Sequence, residues 1–145
     1  MGGAGALRVV VETAEGWALP LAGLEVTRCF VESAGFGLLV LDADTSATIH
    51  VGDFVLSRGA EMVGIDGSSP DGAARALHLL GKQVKEATID RNGVLDLRFS
   101  DGWAIRATPG DYENFEIEGP GDLMVVSPAG GTEPAIWGTA YERRI

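Results

Sequence analysis

A mainly β fold is what this 145-residue sequence predicts: a duplicated antiparallel β-meander with pseudo-twofold symmetry, forming a sandwich or flattened barrel with one connecting helix. Three observations predict it. Twenty-one glycines, several in Asp-Gly, Asn-Gly and Gly-Gly pairs, divide the chain into short apolar runs, as tight turns between strands do. Apolar and polar residues alternate inside those runs, the two-residue period of a strand with one dry face. Finally, Leu21-Ala22-Gly23-Leu24-Glu25-Val26 returns 58 positions later as Leu79-Leu80-Gly81-Lys82-Gln83-Val84, in one Leu-x-Gly-x-x-Val frame.

The elements follow in order. Met1 to Val11 has one basic residue, Arg8, and too short an apolar stretch for a secretory signal, and Ala6 stands where a myristoylation pattern needs Ser or Thr. A first repeat covers about residues 17–63, with Asp42 and Asp44 in a turn between two strands. Linker and helix together take about residues 64–81. Gly64 to Gly72 has linker composition, Ser69 caps the helix, Pro70 opens it and Gly81 ends it, with Ala73, Leu77 and Leu80 on one stripe.

The second repeat spans about residues 82–137 and holds the clearest hairpin. Leu95, Leu97 and Phe99 share a face, Ser100-Asp101-Gly102 turns, and Trp103, Ile105 and Ala107 resume the alternation. Ala47, Ile49 and Val51 answer Trp103, Ile105 and Ala107, while Phe54-x-Leu56 answers Phe115-x-Ile117. About four short strands per copy cannot cover an apolar face alone, so residues 1–145 are expected to share one core as a single domain.

Most catalytic chemistry lacks its residues. Cys29 is the one cysteine, so no internal disulfide can form; it sits in an apolar run and reads as a small core residue, in keeping with a reducing cytoplasm. His50 and His78 stand 28 positions apart with no ligand-spaced partner, so no metal is expected. There is no Gly-x-Ser-x-Gly elbow and no glycine loop ending in Lys-Ser or Lys-Thr, and no cofactor is implied. Trp17, Trp103 and Trp137 are expected in or beside the core, where one left exposed would anchor a partner. No apolar run is long enough for a membrane span, and a net charge of −10 disfavours a phosphate backbone.

Carboxylates remain. Asp111, Glu113, Glu116, Glu118 and Asp122 lie together with no base among them. With Phe115 and Ile117 inward, Glu116 and Glu118 face out, whereas Glu113 shares the inward parity; it either sits partly buried at the mouth of the fold or, the commoner task for an acid at a turn, accepts hydrogen bonds from loop amides around Gly110 and Asp111.

Trp17-x-Leu19-Pro20-Leu21-x-Gly23-x-x-Val26, Phe99-x-Asp101-Gly102, Asp111-Tyr112-Glu113-x-Phe115 and Pro128-x-Gly130-Gly131 followed by Trp137 resemble the uncharacterised actinobacterial family called domain of unknown function 6188. The resemblance runs from about Trp17 to Trp137, with Phe115 where the family pattern often has Trp. It implies an actinobacterial cytosolic protein and transfers no catalytic residue.

The expectation is a non-enzymatic acidic module that docks a basic protein through Asp111, Glu113, Glu116, Glu118 and Asp122, as an immunity protein neutralises a toxin. The alternative is a small β-barrel enzyme or ligand carrier in secondary metabolism, holding an apolar molecule near Glu113 and Tyr112. A homodimer formed through a strand edge is compatible with either.

Overall fold

The computed structural model describes residues 8–110, 113–128, 133–138 and 141–143. Its strands are β1 (Val10–Thr13), β2 (Gly16–Ala18), β3 (Glu25–Glu32), β4 (Gly35–Leu41), β5 (Ser46–Val51), β6 (Asp53–Arg58), β7 (Glu61–Asp66), β8 (Val84–Asp90), β9 (Leu95–Phe99), β10 (Trp103–Ala107), β11 (Phe115–Glu118), β12 (Met124–Val126), β13 (Ala135–Trp137) and β14 (Tyr141–Arg143). Helix α1 (Pro70–Ala76) joins β7 to β8. One sheet runs β14-β1-β2-β8-β9-β10-β6-β7 and the other β13-β12-β11-β5-β4-β3. Neighbours are antiparallel except β1 and β14, which are parallel. The sheets pack as a sandwich and do not close into a barrel.

Each sheet combines distant parts of the chain. The meander β3-β4-β5 is extended by β11-β12-β13, and β8-β9-β10 by the hairpin β6-β7. The junctions match residue for residue. Ile117 pairs with Ile49 and Phe115 with Val51 on one side, while Ile105 pairs with Leu56 on the other. Inward-facing residues of both sheets form one buried cluster.

The two Leu-x-Gly-x-x-Val runs meet each other directly. Gly23 donates its N–H to the Val84 carbonyl and Gly81 to the Val26 carbonyl, both at 2.8 Å. Val26 donates to Lys82 and Val84 to Leu24 at the same distance, and Glu25 bridges Gln83. Each bond is therefore matched by one 58 positions away. Both glycines take a left-handed φ, 92° at Gly23 and 84° at Gly81, which a side chain would resist. Leu21, Leu79, Val26 and Val84 are all fully buried, and β3 and β8 each carry a register shift just after the motif valine.

The expected hairpin forms as β9 and β10, with Asp101 at φ 63° in its turn and Lys82 Nζ 2.8 Å from the Asp101 carboxylate. That hydrogen bond and charge hold the Asp101 carboxyl below the usual range. The cap also forms, Ser69 Oγ accepting from the Gly72 N–H at 3.4 Å. Two expectations need correction. Strand β7 continues to Asp66, so the linker is shorter than residues 64–72. The helix buries Ala73, Ala76 and Leu79, leaving Leu77 and Leu80 about half exposed. Past Ala76 it tightens into a 3₁₀ turn over Leu77–Leu79, and three residues per turn put every third residue on the same side.

Cys29 is half-buried and packs against the core. Burial pushes its thiol up to about 11, because the thiolate would lose hydration there. Labelling of the folded protein near pH 8 should be about 100-fold slower than labelling of the unfolded chain, the ratio of thiolate populations. A rate within about threefold of the unfolded chain's would contradict this burial. The unfolded chain gives up this proton first as pH rises past the ordinary thiol value of 9.0, so Cys29 erodes stability between there and about 11 and not below.

Candidate functional site

Strand β11 places the carboxylates. Phe115 and Ile117 enter the core, at 2% and 0% exposure, so Glu116 and Glu118 face out as parity requires. Register across the sheet sets their neighbours. Glu116 lies between His50 and Val126, and Glu118 between Thr48 and Met124, which in turn faces Trp137 on the edge strand β13. Trp137 is 53% exposed, contrary to the core or core-edge position expected for all three tryptophans; Trp17 is buried and Trp103 half-buried. An edge strand of three residues, with no further strand beside it among the described residues, leaves that indole uncovered.

Glu113 does not take the inward position. It is exposed, because β11 begins at Phe115 and the preceding residues leave the strand alternation. Asn114 explains the departure. Its Oδ1 accepts from the Asp53 N–H at 2.9 Å, and its Nδ2 donates to the carbonyls of Asp53 at 2.8 Å and Thr108 at 2.9 Å. Its backbone carbonyl accepts from Gly52, and its N–H donates to the buried Ser127 hydroxyl at 2.6 Å. With Asn114 tied to three loops, Glu113 turns to solvent.

Glu113 and Glu116 line one cleft of about 290 Å³ with Glu32, His50 and Asn114. His50 Nδ1 is 3.4 Å from Glu32 Oε2, and its ring meets Phe30 edge-on. Glu32, Glu113 and Glu116 make part of this wall negative, beside apolar lining from Ala34, Val51 and Phe115. Glu118 lines a neighbouring depression with Asp44, Thr45 and Pro120. Asp122 is exposed in the turn between β11 and β12. Asp111 and Tyr112 lie outside the described residues. The structure thus joins Glu113 to Glu116, sets Glu118 on the same face and leaves Asp122 at its margin.

The buried carboxylate is elsewhere. Glu12, on the inward row of β1, is 2% exposed and meets Arg91 Nη1 at 2.8 Å. Arg91 also donates to the carbonyls of Ala14 and Thr13 and lies over the Trp17 ring. These contacts serve packing. Asp42 has the turn role its position suggests, accepting from the N–H groups of Asp44 and Thr45, which with Arg8 hold its carboxyl below the ordinary range. Among the described residues no group of His, Cys, Asp and Glu could hold a metal ion. No described helix is long and apolar enough to cross a membrane.

The sequence model of a family of unknown function matches residues 17–137. No curated protein and no solved structure matches the chain.

Proposed function

The chain belongs to the family of unknown function DUF6188, which brings no reaction with it, and from that premise we propose that it is a non-catalytic binding module whose β11-β12-β13 face docks a basic protein. The observation that carries this reading is the row Glu118–Met124–Trp137, a half-exposed tryptophan beside an outward carboxylate on a sheet face. A large amphipathic ring supplies contact area at low entropic cost, and surrounding carboxylates select and steer a cationic partner. Glu116, and Glu113 with Glu32 in the adjoining cleft, extend the negative surface, and the net charge of −10 adds long-range attraction. Neutralising a basic toxin in the cytoplasm is the concrete version.

The test is quantitative affinity enrichment from the source organism at low ionic strength. Wild-type protein should retain one cationic partner, and Trp137→Ala or the Glu116→Lys/Glu118→Lys pair should reduce its recovery at least about tenfold. Raising salt should release it. Identical partner profiles for wild type and both variants would refute the proposal.

A further inference from the structure

A second surface has the opposite character. Between the β6-β7 hairpin, the start of β10 and the helical segment lies a groove of about 450 Å³, lined by Arg58, Met62, Val63, Arg75, His78 and Trp103. It opens beside the edge strand β7, which pairs only with β6 among the described strands. Its aromatic wall is built: the His78 ring stacks on Trp103 at 5.3 Å and 10°, and the Arg58 guanidinium carbon stands 5.3 Å from the same indole. Met62 is 73% exposed, the highest of the large apolar side chains that remain in solvent.

Charge distinguishes this groove from the rest of the protein. In a chain with 21 acidic and 11 basic residues, two guanidiniums and an imidazole face one carboxylate here, that of Glu61. Arg58 donates a long bond to the Asp101 carbonyl, and its charge also acts on the Asp101 carboxylate, which Lys82 already holds at 2.8 Å; among the described residues Arg75 makes no ion pair within 4 Å. A partly exposed aromatic and thioether surface beside two guanidiniums, neither of them in a direct carboxylate ion pair, matches a molecule with an apolar body and one anionic group.

We propose that this groove is a binding site for a small amphipathic carboxylate, its acid group held by Arg75 and Arg58 and its body laid against Met62, Val63 and Trp103. The volume is that of a small-molecule site, and the face lies apart from the β11-β12-β13 surface.

The experiment is a titration of the intact protein followed by NMR at the three indole N–H signals. The probes are indoleacetate, phenylpropionate and octanoate, each paired with its neutral amide. At least one acid should shift the Trp103 signal saturably below about 10 mM while Trp17 and Trp137 stay still, and its amide should bind at least about tenfold more weakly. Arg75→Gln should reduce the acid to the affinity of its amide. Arg106→Gln, exposed on the outer face of the same sheet, should change nothing. Equal affinity for acid and amide, or no shift at Trp103 with any of the three acids, would overturn the proposal, and the amide comparison needs no variant to fold.

Discussion

Replacing Arg91 with alanine should lower stability by about 3 kcal/mol, the largest loss expected from any single charged residue outside the binding faces. The guanidinium holds the buried Glu12 carboxylate at 2.8 Å, satisfies two carbonyls of the β1-β2 turn and covers the Trp17 ring. Its removal takes from a buried carboxylate the cation that stands 2.8 Å from it, and breaking a buried pair costs far more than the pair contributes when intact. Water reaching the half-open Arg91 side keeps the cost at the low end of the usual range. Glu12→Gln keeps the shape and strands only a partly solvated cation, so about 1 kcal/mol is expected. Combining Glu12→Gln with Arg91→Ala should cost less than the sum. Chemical denaturation of the four proteins measures all these quantities, and an Arg91→Ala loss below about 1 kcal/mol would show that Glu12 does not depend on it.

The second large effect is expected at Gly67. A Cβ there would stand 2.4 Å from the Gly52 carbonyl oxygen and 2.9 Å from both the Phe36 nitrogen and the Val51 oxygen. All three are backbone atoms of the β4-β5 ladder and the turn after it, where Phe36 pairs with Val51, so none can retreat without opening that ladder. The Gly67 N–H also donates to the Gly52 carbonyl at 2.9 Å. Gly67→Ala should therefore cost about 3 kcal/mol and lower Tm by roughly 8 °C. Gly64→Ala, three residues earlier with nothing near its Cβ, is the control and should leave Tm unchanged or slightly raised. Equal melting of the two variants would contradict the close approach at Gly67.

What the sequence makes readable is what depends on near neighbours. The β9-β10 hairpin, the Ser69 cap, the Asp42 turn and the outward direction of Glu116 and Glu118 all follow from spacing along one segment. The 58-residue echo also has a counterpart in the matched bonds around Gly23 and Gly81. Pairing across the chain is another matter. Phe54-x-Leu56 and Phe115-x-Ile117 present the same face, so either could follow β5 in a sheet, and alternation alone does not choose between them. Asn114 is the unassigned position in the Asp111-Tyr112-Glu113-x-Phe115 motif, yet its bonds move Glu113 from the core side to solvent. A polar hub has no period to betray it. Glu12 and Arg91, 79 positions apart, carry no joint signal, and the Trp103 groove is assembled from three separated segments.

The exchange of hairpins between the two halves has a bearing on synthesis. When β3, β4 and β5 have left the ribosome, the flank of β5 has no native partner until Phe115–Glu118 emerges more than sixty residues later. The β6-β7 hairpin likewise waits for Trp103–Ala107. The nascent chain thus exposes two unfinished sheet margins, one while the residues between Val51 and Phe115 are made and the other while those between Asp66 and Trp103 are made. Closure between such distant segments makes slow folding, and a need for protection against self-association, part of this topology.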